Sequence, residues 1–180
     1  MRTLDRNKRQ FYYCLHTAKE KIYDEDHNFT GDYTPSYAEA VIAYGNISAA
    51  SGMTDTEQFG TDISYDKTIV LQGINWPIDE NTVLILEKDL YSADGFVGNG
   101  TNHTFVLSSD ARRVIEATID GVETEEFTVV DDEISFTTAP AEGAKIEVLY
   151  EPAIPNYDYI VVRVAISLNH TVLAIKRVER

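Results

Sequence analysis

Apolar and polar residues alternate in short runs along most of this chain. In the run from Phe11 to Tyr23, for example, Phe11, Tyr13 and Leu15 fall on one face. Successive side chains of a β-strand point to opposite faces of the sheet, so a period of two residues predicts strands. Clusters of Gly, Asn, Asp and Pro separate the runs and predict turns. The pattern therefore predicts an all-β fold.

The strands near the two ends of the chain are predicted to form one domain, over residues 1–91 and 156–180. The segment Asp24–Asp32 is rich in turn-forming residues and predicts the tip of a long hairpin. Ser167–His170 predicts the turn of a second hairpin. The predicted strands of this domain are Phe11–Tyr23, Tyr37–Ile47, Ile63–Leu71, Thr82–Glu87, Tyr159–Ile166 and Thr171–Val178.

A second domain is predicted to interrupt the first, over residues 92–155. Its first segment, Ser92–Asn102, is glycine-rich and predicts a flexible linker, and Glu151–Pro155 predicts a stiff, extended one. Five short strands with regular turn signals lie between the linkers and predict a small β-sandwich. These strands are Thr104–Leu107, Val114–Ile119, Glu126–Val130, Glu133–Thr138 and Lys145–Tyr150. Their alternation predicts a core formed by Ile115, Ala117, Ile119, Ile134, Phe136, Thr138, Ile146, Val148 and Tyr150.

The formal net charge of −15 is unevenly distributed. Met1–Lys21 and Arg163–Arg180 are basic, whereas residues 22–162 contain 27 acidic residues against 5 basic ones. Such a surface repels the phosphates of duplex DNA, which argues against a protein that reads DNA grooves. It is compatible with a wall along which DNA slides, but composition alone favours ordinary solubility from charge of one sign.

The sequence predicts a soluble protein that is made and used inside a cell. Cys14 is the only cysteine, so the chain has no internal disulfide. No apolar run approaches the ~20 residues that span a bilayer, and the first residues are not followed by the apolar core of a signal peptide. We therefore expect no membrane association.

The short motifs in the chain do not predict catalysis. Asp24, Asp26 and Asn28 have the spacing of calcium ligands, but Phe29 stands where a calcium loop needs glycine. No Lys-Ser or Lys-Thr pair follows the glycines of residues 95–100, as a phosphate-binding loop would require. The four histidines lie in separate segments, without metal-ligand spacing. We expect no catalytic residues, no cofactor and no bound metal.

A long loop is predicted at Ser48–Gly60, where small and polar residues follow one another without a sustained period. Long loops in compact domains are often functional. Gly52 and Gly60 permit large backbone changes, and Asp55 and Glu57 would prevent phosphates from binding.

The outer domain resembles the head-closure proteins, also called stoppers or head–tail connectors, of long-tailed phages and prophages of Gram-positive bacteria. The resemblance covers about residues 1–90 and 156–180, in the order and spacing of several segments. These segments are Phe11–His16, Asp24–Gly31, Ala43–Ala50, Thr56–Val70, Asn75–Asp79 and Tyr157–Asn169. The inserted domain, especially Phe136–Tyr150, is similar to small β-sandwich modules of phage tail fibres and other virion proteins.

This resemblance implies a structural virion protein in the phage neck, assembled in the bacterial cytoplasm. Its fold would be a small β-barrel interrupted by the inserted β-sandwich. Copies would form a ring with a portal or adaptor ring above it and a tail or tail-terminator protein below it. The ring would retain packaged DNA, which passes its lumen without sequence-specific binding. Ser48–Gly60 lies where related stoppers carry a loop that reaches toward the channel, so Asp55, Glu57, Gly52 and Gly60 are the candidate lumen residues.

Two other classes of protein remain compatible with the sequence. A tail-fibre or receptor-binding protein would use the sandwich, and would place aromatic residues together on its exposed face. A carbohydrate-active enzyme would need two carboxylates facing each other across a cleft, about 5 to 9.5 Å apart. The oligomeric form distinguishes the three classes: a ring with a channel, an elongated trimer, or a monomer with a cleft. A loop buried between subunits is the alternative to a lumen loop at Ser48–Gly60.

Overall fold

A computed structural model of the protein describes residues 7–17, 20–23, 27–49, 59 and 63–178. The described residues are rich in β-strands, which confirms the predicted all-β class. The chain divides into two compact units. Met1–Lys88 and Tyr157–Arg180 form the first, here called the barrel unit, and Asp89–Asn156 form the second, here called the sandwich unit.

The described strands of the barrel unit are β1 (Arg9–Cys14), β2 (Glu20–Tyr23), β3 (Phe29–Thr34), β4 (Val41–Ala49), β5 (Lys67–Gln72), β6 (Val83–Ile85), β14 (Tyr159–Ser167) and β15 (His170–Arg177). Six of them form a closed barrel, in the order β1-β4-β5-β15-β14-β6, and all described neighbours in the barrel are antiparallel. The remaining pair, β2 and β3, forms a separate two-stranded sheet. The predicted barrel is thus confirmed.

The barrel is filled by the inward-facing side chains that the alternation predicts. Burial of each large apolar side chain contributes about 1.5–3 kcal/mol to folding. Trp76, the only tryptophan of the chain, packs against this core and meets Tyr13 edge-on, with ring centroids 6.4 Å apart. The core comprises Phe11, Tyr13, Ala43, Ile69, Leu71, Ile78, Leu84, Tyr159, Val161, Leu173 and Ile175. Trp76 fluorescence therefore reports on the barrel unit.

Close packing between β4 and β5 depends on a glycine. A Cβ atom on Gly45 would lie 2.6 Å from Cγ2 of Ile69 and 3.0 Å from Cδ2 of Leu71. Both isoleucine and leucine side chains are fully buried in the barrel core. Only glycine leaves room for them at this position.

The predicted strand Phe11–Tyr23 is wrong in its extent, because the structure divides it into β1 and β2. Between the two, His16 forms an isolated bridge with Tyr37, and their rings meet edge-on at 5.8 Å. The backbone N–H of Thr17 donates to the carbonyl of Ser36 at 2.8 Å. The chain therefore leaves the barrel here and continues into the separate β2–β3 hairpin.

The sandwich unit contains two sheets whose facing sides form one core. One sheet has four strands in the order β10-β9-β13-β7, and the other has three in the order β11-β12-β8. The strands are β7 (Ser92–Val97), β8 (Thr104–Val106), β9 (Ala111–Ile119), β10 (Val122–Glu123), β11 (Phe127–Val130), β12 (Glu133–Phe136) and β13 (Lys145–Pro152). The buried core residues are Phe105, Leu107, Ala117, Ile134, Phe136, Ile146, Val148 and Tyr150.

Three details of the predicted sandwich are wrong. Both predicted linkers are partly strand: Ser92–Val97 is β7 and pairs with β13, and Glu151 and Pro152 are the last residues of β13. Ile115 is 40% exposed, because a register shift between Leu149 and Tyr150 of β13 turns Val114 toward the core instead. Thr138 is exposed, beyond the end of β12.

A partly buried hydrogen-bond network fixes β7 to the loop after β8. Asp94 accepts hydrogen bonds from the backbone N–H of Ser108 at 2.7 Å, from its hydroxyl at 2.6 Å, and from the hydroxyl of Tyr150 at 3.0 Å. Burial alone would raise the pKa of Asp94, but these hydrogen bonds outweigh burial and hold the pKa below its ordinary value. A depressed pKa stabilises the fold above the unfolded-state value of about 3.9, and this contribution is lost as the pH falls through the folded-state pKa.

The chain leaves the barrel unit after Lys88 and re-enters it at Tyr157, and hydrogen bonds of Asp158 join these two places. The buried carboxylate of Asp158 accepts hydrogen bonds from the backbone N–H groups of Leu86 at 2.9 Å and Glu87 at 2.7 Å. The N–H of Asp158 in turn donates to the carbonyl of Leu84 at 3.1 Å. The end of β6 and the beginning of β14 are thus held side by side.

Because these ends are adjacent, we expect residues 89–156 to be replaceable by a Gly-Ser linker of about four residues. The shortened chain should remain soluble, with a barrel stability within about 1 kcal/mol of the parent, since loop-closure cost depends weakly on loop length. Urea unfolding followed by Trp76 fluorescence measures this. A solvent-exposed Trp76 emission without denaturant would mean that the sandwich unit belongs to the barrel's folding unit.

Candidate functional site

The predicted lumen residues Gly52, Asp55, Glu57 and Gly60 lie outside the described residues. Phe59, which is described, is 7% exposed and lies against the outer face of the barrel. It packs with Val172 and Ala174 of β15, and its ring meets Tyr65 at 5.5 Å. This end of the predicted loop is therefore attached to the barrel through an aromatic side chain.

The β2–β3 hairpin, here called the arm, carries apolar side chains into solvent. Ile22, Phe29 and Tyr33 are 39%, 41% and 47% exposed. The Phe29 and Tyr33 rings contact each other at 5.2 Å, and the ammonium of Lys21 lies 5.3 Å from the Phe29 centroid. An isolated two-stranded hairpin is marginally stable in water, so the arm would gain stability from packing against another surface.

The turn between β14 and β15 forms a second apolar projection, here called the hairpin tip. Leu168 is 93% exposed and Ile166 is 68% exposed. The carbonyl of Asn169 accepts a hydrogen bond at 3.0 Å from the N–H of Gly73, which precedes the half-exposed Ile74. Apolar side chains exposed together in this way are typical of protein contact sites.

At the start of β5 and the end of β15, charged side chains surround Glu87. Glu87 contacts the ammonium of Lys67 and lies 3.3 Å from Nη2 of Arg177, and it accepts a hydrogen bond from Tyr159 at 3.2 Å. The hydrogen bond from Lys67 is the main reason why the pKa of Glu87 is lowered. Lys67 also lies 4.7 Å from the centroid of the Tyr159 ring. The carboxylate of Glu87 is thus paired with two cations and a hydroxyl, which is typical of a structural ion cluster.

The part of the chain that the structure describes contains neither a metal-binding cluster nor a membrane-crossing helix. Among residues 7–17, 20–23, 27–49, 59 and 63–178, no group of three or more His, Cys, Asp or Glu side chains is placed to hold a metal ion. Within the same ranges, no helix is long and apolar enough to cross a membrane.

Comparison with known proteins adds no identification, since no family model and no curated protein matches this chain.

The sequence predicts both hairpins, which a ring of strand-rich subunits could pack across its subunit boundaries, but it does not show which of their side chains are exposed. Ile22, Phe29 and Leu168 follow the ordinary strand and turn patterns. The exposure of Ile22 and Phe29 depends on the arm leaving the barrel, which no local pattern shows. The one available signal was leucine at a turn position, where polar residues and glycine are more usual.

Proposed function

We propose that this protein is a structural component of a phage neck. Its copies form a ring between the portal or its adaptor and the tail. In this position the ring retains packaged DNA and provides the surface to which the tail attaches. The acidic middle of the chain supports passage of DNA without sticking, because few cations are available to hold phosphates.

The observation that carries this proposal is the exposed apolar surface of the hairpin tip and the arm on a closed barrel. The six-stranded sheet closes into a barrel, which leaves few strand edges for joining copies by extending the sheet. Exposed side chains that project from the barrel unit, such as Leu168 and Phe29, provide contact surface instead. A cyclic assembly with head-to-tail contacts needs two different surfaces on each subunit, and two such projections are present.

The tail-fibre alternative receives less support from the sandwich unit. That function predicts aromatic side chains grouped on the exposed face of the sandwich. All of residues 89–156 are described, and among their exposed large hydrophobic residues only Tyr91 is aromatic. The others are Val97, Val106, Ile115, Val122, Val130 and Ile154.

The experiment is a reconstruction of phage particles whose genome encodes this chain, combined with one variant of the hairpin tip. We expect the chain as a ring between head and tail. Leu168→Asp should leave the isolated protein folded, because the side chain is already in solvent, and should reduce incorporation into particles by about tenfold or more, since burying an unpaired charge is unfavourable. Location on fibres, or absence from the neck, would refute the proposal.

Val122→Asp is the matched control, because Val122 is 69% exposed on the sandwich unit. It introduces the same charge on a surface that the proposal does not use. Equal loss of incorporation for both variants would show that added charge, rather than the hairpin tip, is responsible.

A further inference from the structure

A groove of about 500 Å³ lies on the outward face of the four-stranded sheet of the sandwich unit. Its lining includes Ala93, Gly95, Glu116, Thr118, Glu147 and Leu149. The small residues Ala93 and Gly95 of β7 form a low floor, because they fill little of the groove. Even a Cβ added to Gly95 would meet no atom closer than 3.8 Å. All the residues that line the groove belong to the sandwich unit.

Strand pairing brings three oxygen-bearing side chains together in this groove. Glu147 of β13 is paired with Thr118 of β9, and Leu149 is paired with Glu116. Thr118 therefore lies between Glu116, two residues earlier on its own strand, and Glu147 across from it. Directly paired side chains in a sheet have Cβ atoms about 5 Å apart.

Thr118 is the residue that distinguishes this groove from an ordinary acidic surface. It is 9% exposed, and its hydroxyl is buried without a hydrogen-bond partner. A buried hydroxyl that makes no hydrogen bond is unfavourable, so such groups in native proteins call for an explanation. A ligand that donates a hydrogen bond to this oxygen would provide one.

The charge of the unit indicates which ligand fits. The sandwich unit contains 14 Asp and Glu residues against Arg112, Arg113 and Lys145. The ammonium of Lys145 lies 2.6 Å from Oε1 of Glu147, although both side chains are more than half exposed. Glu147 is thus already in contact with an ammonium group from its own strand, and that group is free to move into solvent.

We propose that this groove binds a primary alkylammonium group, such as the end of a lysine side chain. An ammonium has three N–H donors, and three acceptors are available to it: the carboxylates of Glu116 and Glu147, and the hydroxyl of Thr118, which is buried in the free protein and is reached when its side chain rotates toward the groove. The aliphatic stem lies over the low floor formed by Ala93 and Gly95. The ligand is either a lysine of a partner protein or a free amine, which share this chemistry.

The test is a titration of the ¹⁵N-labelled full-length protein, monitored by NMR. The first probe is Nα-acetyl-lysine amide, a blocked lysine that serves as the peptide probe for a lysine of a protein. The second probe is putrescine, a free diamine. We expect shifts of the amides of Gly95, Thr118 and Glu147 with at least one of them. A response to the peptide alone identifies a protein lysine as the ligand, and a response to putrescine alone identifies a small amine. No response to either probe overturns the proposal.

Two control probes separate hydrogen bonding from charge and from apolar contact. Nα-acetyl-norleucine amide has an aliphatic stem without the ammonium, and the trimethyl-lysine derivative keeps the charge but has no N–H donor on it. We expect neither to bind measurably. Binding of trimethyl-lysine as tight as that of lysine would contradict recognition by three acceptors.

Thr118→Val is the decisive variant, because it removes the hydroxyl and preserves the shape of the side chain. We expect it to unfold at the same urea concentration as the parent or at a higher one, since the hydroxyl makes no hydrogen bond in the free protein. It should bind the probe about tenfold more weakly. Glu147→Gln should weaken binding similarly, and Lys145→Ala should strengthen it by removing a competing ammonium. Unchanged binding in Thr118→Val would refute the proposal, independently of any role in a phage neck.

Discussion

Replacing Gly98 by alanine is expected to destabilise the sandwich unit by about 3 kcal/mol. The new Cβ would lie 2.9 Å from the carbonyl oxygen of Pro140 and closer still to that of Ala141. Both are backbone atoms, which cannot rotate away as a flexible side chain can. Two hydrogen bonds hold Gly98 in place: its N–H donates to Ala144 at 2.8 Å, and its carbonyl accepts from Gly143 at 2.9 Å.

Gly95→Ala is the matched control for this prediction. Gly95 lies on β7, three residues earlier, and a Cβ there would make only an ordinary van der Waals contact, with the carbonyl oxygen of Ile146 at 3.8 Å. It should be neutral or slightly stabilising, because alanine loses less conformational entropy than glycine on folding. ¹⁵N spectra across a urea series measure unfolding of the sandwich unit, while Trp76 fluorescence follows the barrel unit. Equal stability of the two variants would contradict the close contact at Gly98.

Asp158→Ala is expected to destabilise the barrel unit by about 3 kcal/mol. Asp158 is 2% exposed, and its carboxylate accepts hydrogen bonds from two backbone N–H groups, those of Leu86 and Glu87. Truncation leaves these groups without their partner beside the barrel core. Asp158→Asn keeps one side-chain acceptor and should lose about half as much stability.

The control for Asp158 is Asp66→Ala. The carboxylate of Asp66 also accepts a backbone hydrogen bond, from Arg177 at 2.7 Å, but the residue is exposed and water can replace it. We expect a loss of about 1 kcal/mol or less. Urea unfolding monitored by Trp76 fluorescence compares the two variants. If Asp158→Ala costs no more than Asp66→Ala, the buried carboxylate does not hold the two strands together.

Much of the barrel could be predicted from the sequence because its pattern is local. The final hairpin was predicted as Tyr159–Ile166 and Thr171–Val178, and the structure has Tyr159–Ser167 and His170–Arg177. Strong alternation and a short polar turn define both strands. The division between β1 and β2 was missed, because apolar alternation continues through Leu15 while the backbone changes its partner.

Other features depend on contacts between distant segments, which alternation does not reveal. Strand β7 was missed because Gly95 and the small side chains beside it give little apolar signal, and only pairing with β13 makes the segment a strand. Ile115 was assigned to the core because a register shift cannot be seen in one strand alone. For the same reason Thr118 looks like any outward-facing residue, until Glu147 is placed opposite it.

The order of the strands in the barrel has a consequence for synthesis of the protein. β14 and β15 follow all other barrel strands in the chain, yet β15 lies beside β5 and β14 lies beside β6. Until both have emerged from the ribosome, β5 and β6 present unpaired edges that can pair with other chains. Leu86 and Asp158 are 72 residues apart in sequence, so early folding of the sandwich unit would shorten the loop that closure must span. We therefore expect early folding of the sandwich unit to favour closure of the barrel, and chains truncated before β14 to aggregate during translation.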